Sequence, residues 1–194
     1  MGSLRQANKA IWLVGCMVVT SLSWSGCSRL DSAACDPGAS YGTAPDEPIQ
    51  NFRLMDQYGG KVRLDSFCGD VIVLQMGAMW CPSCQSEANK IPDLMKEYGP
   101  QGLTILNLLA ETTSGQAPIE AELLEWADYF DVSTPVLADP NWEVWERYFD
   151  RHVTPRAILV DREGRIRKID YVITQEDIQS AINGEELSDE SSSE

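Results

Sequence analysis

Alternating apolar and polar residues open the folded part of the chain and predict a short β-hairpin. Segments 52–55 and 61–64 both alternate, and a Tyr-Gly-Gly sequence between them suits a tight turn. Two later runs, 71–76 and 103–109, are apolar almost without a break. Such runs are typical of strands covered on both faces of a sheet.

Apolar residues at helical spacing predict the remaining elements. Segment 82–98 reads as one helix that Pro92 should kink. We expect further helices at 119–130 and 142–149 and one from an N-cap at Thr174 to Asn183, and further strands at 135–138, 157–161 and 165–171. This order predicts an α/β fold, a central mixed β-sheet flanked by helices, with an N-terminal β-hairpin extension. Trp126, Trp142 and Trp145 are expected to pack in the core.

The net charge of the chain narrows the classes of molecule that it could bind. The formal net charge is -15 and the sequence pI is about 4.4, which argues against a nucleic-acid partner, since phosphate binding needs clustered Lys and Arg. Part of the acidity lies in residues 185–194, which contain no basic residue and are predicted to be a disordered acidic tail.

Residues 1–26 are predicted to be a signal peptide of the lipoprotein type. A positive start precedes an uncharged stretch that ends in Ser25-Gly26-Cys27, which resembles a bacterial lipobox. We expect lipidation of Cys27, a tether over 27–47 and a folded domain over 48–184. A second box ending at Cys16, a plain cleaved signal and an uncleaved anchor are the alternatives. All of them place the domain outside the cytoplasm.

Four thiols remain if Cys27 carries lipid. Cys81 and Cys84 form a C-x-x-C motif, which leaves Cys35 and Cys68 to form a structural disulfide in an oxidising compartment. The alternative is two unrelated thiols.

The motif Trp80-Cys81-Pro82-Ser83-Cys84 follows a buried strand and opens a helix, which favours redox chemistry. Zinc would need two further ligands, whereas the sequence has one His and no second C-x-x-C, so we expect no metal. At a helix N-terminus the Cys81 sulfur meets unpaired N–H groups that favour the thiolate. We therefore expect an exposed, attacking Cys81 and a shielded, resolving Cys84.

Glu87 lies three residues after Cys84, so its carboxylate can lie beneath the dithiol. An ordinary surface acid early in a helix fits the spacing equally well. His152 offers a similar choice between the rim of the active site and a solvated loop.

The motif at 80–84 together with Val153-Thr154-Pro155 resembles the thioredoxin superfamily, and more narrowly the TlpA/ResA group of extracytoplasmic thiol–disulfide oxidoreductases. The resemblance covers about residues 44–183 and implies a thioredoxin-like fold without a cofactor. It also implies that Pro155 is a cis-proline facing the dithiol and that Glu87 is catalytic. Trp80, Pro82, Thr154 and Pro155 would then contact the substrate.

The same resemblance implies the partners: exported protein thiols or disulfides as substrates and a membrane thiol-reductant donor. We expect a membrane-anchored monomer that works as a reductant. The alternatives are a peroxiredoxin-like thiol peroxidase and a redox-inert binding lipoprotein. Ala78 stands where a peroxiredoxin would need Thr, and both cysteines of the motif are present.

Overall fold

A seven-stranded sheet forms the centre of the protein in a computed structural model that describes residues 40–187. The strands are β1 (Arg53–Asp56), β2 (Lys61–Arg63), β3 (Val71–Gly77), β4 (Leu103–Leu109), β5 (Val136–Ala138), β6 (Arg156–Val160) and β7 (Ile166–Asp170), in the spatial order β2-β1-β5-β4-β3-β6-β7. The predicted signal peptide, most of the tether and the end of the acidic tail, with Cys16, Cys27 and Cys35, lie outside the described residues.

The sheet is mixed, as predicted. Strands β3, β4 and β5 run parallel to one another. On the other side of β3, β6 pairs antiparallel with β3, and β7 pairs antiparallel with β6. The hairpin of β1 and β2 joins the opposite side through an antiparallel pairing of β1 with β5. Every residue of β3 is buried, which confirms it as a central strand covered on both faces.

Within residues 40–187, four α-helices accompany the sheet: α1 (Pro82–Ala88), α2 (Ile91–Tyr98), α3 (Glu120–Tyr129) and α4 (Gln175–Asn183). The helix predicted over 82–98 is interrupted between Ala88 and Ile91, and Pro92 lies in the first turn of α2, where a missing N–H costs little. The prediction of one kinked helix is therefore wrong, because the segment forms two helices and Pro92 lies at the start of the second. Thr174 caps α4 by accepting a hydrogen bond from the Asp177 N–H, as predicted.

The prediction of a helix over 142–149 is wrong. The segment forms two 3₁₀ turns, Pro140–Trp142 and Trp145–Arg147, separated by a break. Asn141 and Trp142 have positive φ values of 58° and 59°, which an α-helix does not allow. The buried Asp139 carboxylate instead accepts hydrogen bonds from two N–H groups of the second turn at 2.8 and 3.0 Å. The carboxylate thus caps the second turn at its start, where the first N–H groups have no partner within a helix.

Apolar side chains pack on both faces of the sheet in two clusters. Trp126 belongs to one cluster, while Trp142 and Trp145 belong to the other, so the expectation that these rings pack in the core is confirmed. Among residues 40–187, no helix has the length and apolar character needed to cross a membrane.

Candidate active site at the dithiol

The dithiol lies where the central strand ends and a helix begins. Strand β3 ends at Gly77, and Cys81 is the N-cap residue of α1, with an extended backbone of φ -85° and ψ 114°. The Cys81 sulfur accepts a hydrogen bond from the backbone N–H of Cys84 at 3.2 Å. Pro82 occupies the first helical position, which needs no N–H. The local sequence thus places one sulfur on the unpaired donors of a helix N-terminus.

Both thiols are free. Cys84 lies one turn into α1 and packs against the end of β3. A Cβ atom added to Gly77 would lie 2.5 Å from the Cys84 sulfur, closer than real Cβ contacts. Glycine at position 77 is therefore needed because the second sulfur occupies the space of a side chain.

The two thiols have opposite pKa shifts. Burial raises the pKa of Cys81, but hydrogen bonds from the Cys84 and Thr154 side chains and from the N–H groups of Cys84 and Ser83 outweigh it, so the pKa lies below the ordinary cysteine value. Burial, followed by the hydrogen bond to Cys81, raises the pKa of Cys84 to about 12. Because the two thiols titrate as a pair, the asymmetry makes Cys81 the thiolate and Cys84 its proton-bearing neighbour.

The expected exposure of Cys81 is wrong. Cys81 is 4% exposed and Cys84 is 5% exposed, so accessibility does not distinguish them. The capping contact turns the Cys81 sulfur over the first turn of α1, which covers it. The distinction between the two thiols comes from hydrogen bonding and charge. Beside them Trp80 is 45% exposed and Pro82 is exposed, which leaves an accessible surface next to the sulfurs.

The segment before β6 brings a second part of the chain to the dithiol. The peptide bond between Thr154 and Pro155 is cis, in agreement with the resemblance. The Thr154 side chain influences the pKa of both sulfurs, and both Thr154 and Pro155 are half-buried. Residues about 70 positions apart in the sequence therefore meet at one site.

Glu87 lies on the same helix as the dithiol and is largely covered, with 13% of its side chain exposed. Its carboxylate accepts a hydrogen bond from Lys90 Nζ at 2.7 Å. Together with Gln75 of β3 it lines a cavity of about 420 Å³ between α1, α2 and the start of α4. This position fits an internal acid better than a solvated surface acid.

Glu111, which the sequence reasoning missed, connects two tryptophans at the site. Its carboxylate accepts hydrogen bonds from Trp80 Nε1 at 2.8 Å and Trp142 Nε1 at 3.1 Å. Its backbone oxygen also accepts from the Met79 N–H at 2.8 Å. An acid directly after a buried strand was the available signal, but only the fold brings both indoles to it.

His152 is part of the same surface. Its ring stacks on Trp142 with 4.2 Å between the centroids and an interplanar angle of 9°, and Nε2 lies 3.2 Å from Glu146 Oε1. His152 is therefore packed on the core tryptophan that Glu111 holds. Neither proposed position for His152, solvated loop or thiolate contact, describes this arrangement fully.

Cys68 is disulfide-bonded. Cys81 and Cys84, the other cysteines of residues 40–187, are free thiols. Cys35 lies outside the described residues, and its pairing with Cys68 stays a prediction. In the described range, no group of three His, Cys, Asp or Glu side chains is arranged to hold a metal ion.

A dithiol at the start of a helix, next to a central strand and a cis-proline, defines a thioredoxin-like protein with two chemically different thiols. The chain belongs to the AhpC/TSA family, whose sequence model matches residues 45–169.

Comparisons with individual proteins agree with this class. The chain is 29% identical to thiol-disulfide oxidoreductase ResA of Geobacillus thermodenitrificans over 138 residues, 71% of this chain and 72% of the relative. It is 29% identical to thiol:disulfide interchange protein DsbE of Allochromatium vinosum over 147 residues, 71% of this chain and 75% of that protein.

Solved structures show the same fold. A thioredoxin-family thiol:disulfide interchange protein from Chlorobium tepidum has a TM-score of 0.59 at 17% identity, with 73% of this chain and 99% of that chain covered. Peroxidoxin BcpB from Mycobacterium tuberculosis has a TM-score of 0.58 at 18% identity, with 73% and 96% covered.

Proposed function

We propose that this protein is a thiol–disulfide oxidoreductase in which Cys81 attacks the substrate and Cys84 completes the exchange. The observation that carries the proposal is the opposite pKa shift of two thiols in hydrogen-bond contact. A nucleophile must be ionised, whereas a resolving thiol must stay protonated until the first step is complete. The names of the relatives ResA and DsbE support the same activity.

In the reducing direction the Cys81 thiolate attacks one sulfur of a substrate disulfide. The substrate S–S bond breaks, a Cys81–substrate disulfide forms, and the first substrate sulfur leaves and takes a proton. Cys84 then loses its proton and attacks Cys81, which releases the second substrate thiol and forms the Cys81–Cys84 disulfide. Two electrons pass from the dithiol to the substrate, and the protein ends oxidised.

The second step needs Cys84 as a thiolate. A base favours its deprotonation because burial, the largest cause of its raised pKa, remains after Cys81 has joined the mixed disulfide. Glu87 fits this role, since its covered carboxylate lines a cavity that is large enough for water. Gln75, which lines the same cavity, is neutral and cannot take the proton.

The substrate is held by the exposed surface around the dithiol. Trp80 and Pro82 flank Cys81 in the chain, while Thr154 and Pro155 come from the segment before β6. A polypeptide segment between these groups would place its sulfur next to Cys81.

The protein acts outside the cytoplasm, anchored through lipid on Cys27 and reduced by a membrane thiol donor. The signal-like start of the sequence supports this, and so does the disulfide at Cys68, since such bonds persist in oxidising compartments. Mass spectrometry of the protein purified from membranes would find a lipid-modified Cys27 peptide and a Cys35–Cys68 linked peptide. An unmodified Cys27, or another partner for Cys68, would contradict the respective assignment.

A thiol peroxidase is the second candidate, because one protein with a similar fold is named a peroxidoxin. Ala78 in place of the Thr expected of a peroxiredoxin speaks against it. The test gives pre-reduced protein either insulin disulfides or hydrogen peroxide. We expect rapid insulin reduction and slow peroxide consumption, and the reverse preference would replace the proposal. Loss of both activities would favour a redox-inert binding protein.

A further inference from the structure

Arg156 lies directly after the cis-proline and has an unusual environment for a charged side chain. It is half-buried at the start of β6, where it pairs with Met76 of the central strand. Its Nε atom is buried without a hydrogen-bond partner. Within residues 40–187, its guanidinium also forms no ion pair, although the whole chain has 30 acidic and 15 basic residues.

Aromatic rings hold this guanidinium in place. It lies over the Tyr171 ring at 3.9 Å from the centroid and 5.2 Å from the Phe149 centroid. Stacking of this kind fixes the plane of an arginine side chain and leaves the N–H groups at its edge for a ligand. Other covered cations in the described part have acids instead, such as Lys168 with Asp177 and Arg167 with Asp161.

A cavity of about 380 Å³ opens beside Arg156. Arg151 also lines it and adds positive charge, while Asp150 contributes one carboxylate. Val153, which precedes Thr154 and the cis-proline in the chain, also lines the cavity and is 46% exposed. The cavity is thus lined by the residues that lead into and out of the cis-proline segment, and it contains a fixed planar cation.

We propose that Arg156 is a specificity-determining residue that binds a carboxylate of the substrate polypeptide close to its reactive cysteine. This rests on the proposed function, because Pro155 and the dithiol define where that cysteine lies. A planar guanidinium matches a carboxylate through two parallel hydrogen bonds. The carboxylate belongs to an Asp or Glu side chain, or to a chain terminus, within about three residues of the cysteine, since an extended chain spans about 10 Å over that distance.

The experiment uses short peptide disulfides with blocked ends that carry Glu or Gln at each of the three positions on either side of the cysteine. Pre-reduced protein is mixed with each peptide in a single turnover, and formation of the Cys81–Cys84 disulfide is followed by quenched alkylation. At one position or more, Glu should react about three- to tenfold faster than Gln at low salt, and the preference should fall as salt rises. A further peptide with a free C-terminus separates a terminal carboxylate from a side chain.

Variants assign the preference to Arg156. In Arg156→Gln the ratio of Glu to Gln rates should fall to about one, and Arg156→Lys should restore part of it, since charge remains without the planar fork. Arg53→Gln removes the same charge elsewhere and should keep the wild-type ratio. Because each ratio is taken within one variant, a general loss of activity cancels.

The outcomes separate this inference from the proposed function. Equal rates for all Glu, Gln and free-terminus peptides in the wild type would overturn the role of Arg156, and so would a preference that survives Arg156→Gln. If no peptide is reduced, the proposed function fails, and binding of the same peptides with Ser in place of Cys decides the inference. Tighter binding of Glu than Gln peptides supports the subsite, whereas equal binding overturns it.

Discussion

Cys81 and Cys84 show how neighbouring groups with the same chemistry acquire different roles. Both are buried, and burial alone would raise both pKa values. Cys81 receives hydrogen bonds from the helix N-terminus and Thr154, which lower its pKa below the ordinary value. Cys84 keeps its proton next to that developing charge. The position of each sulfur in α1 therefore decides which one attacks.

The pH dependence of alkylation tests this assignment at the level of single residues. Only the thiolate reacts, so the alkylation rate of Cys81 should rise with pH and reach its plateau at a lower pH than that of a free cysteine, while Cys84 should react only as pH approaches about 12. Mass spectrometry of quenched samples assigns each site. Identical profiles for the two cysteines would contradict the account.

Replacing Glu87 by Gln tests the proposed base. The change removes a covered carboxylate from the helix that carries the dithiol. If Glu87 is the base, the change should lower the apparent pKa of Cys81 and slow the step that needs deprotonation of Cys84. Rates of mixed-disulfide decay measure that step directly. Ser86→Ala, on the exposed side of the same helix, is the control. If Glu87→Gln titrates and turns over like the wild type, Glu87 has only a structural role.

Gly77→Ala tests the packing of the resolving thiol. The added methyl would lie 2.5 Å from the Cys84 sulfur, so the helix must shift, and we expect a loss of about 1–3 kcal/mol in the free energy of unfolding of the reduced protein. Gly99→Ala is the matched control, because its nearest neighbour is the flexible end of Met95 at 3.2 Å. Chemical denaturation of both variants measures the difference. An equal effect of the two changes would show that Cys84 does not require the space at Gly77.

At the scale of elements, Glu111 ties together the loops that surround the dithiol. Trp80 belongs to the loop before α1, whereas Trp142 lies in the first 3₁₀ turn and stacks on His152 of the segment that leads to the cis-proline. The Glu111 carboxylate thus connects Trp80 to Trp142 and, through the ring stack, to His152. These contacts help to position the loops that form the proposed substrate surface.

Glu111→Gln should loosen that connection. An amide offers one acceptor oxygen where the carboxylate offers two, so one indole N–H loses its partner at a cost of about 1–3 kcal/mol. We expect lower stability, a changed tryptophan fluorescence spectrum and a higher KM for protein disulfides, with a smaller change in kcat. Glu122→Gln, in the first turn of α3, changes the same charge away from the two indoles. A KM and spectrum equal to the wild type would contradict the positioning role.

Hydrophobic periodicity predicted most elements because their packing is simple. The continuous apolar runs at 71–76 and 103–109 had one structural interpretation, and both are central strands. The prediction for 142–149 failed because positive φ values at Asn141 and Trp142 divide the segment into two short turns, and the Asp139 side chain caps the second. Periodicity records neither feature. Sequence patterns thus describe apolar burial well and polar capping poorly.

At the scale of the whole molecule, the sequence located the dithiol and, through the resemblance, Thr154 and Pro155. It did not locate Glu111 or Arg156, because their roles depend on rings brought from distant segments. Nor did it reveal that Cys81 is covered, since the burial of a side chain is set by the tertiary packing around it. The missing parts of the site are therefore those that depend on tertiary contact.

Trapping of the covalent enzyme–substrate complex tests the order in which Cys81 and Cys84 act. The Cys84→Ser variant is incubated with oxidised protein substrates, and the covalent complexes are identified by mass spectrometry. The account predicts stable mixed disulfides through Cys81, because no resolving thiol remains to release the substrate. It also predicts no exchange in Cys81→Ser. Complexes formed through Cys84 in that second variant, at the rate seen for Cys81 in the first, would contradict the assignment.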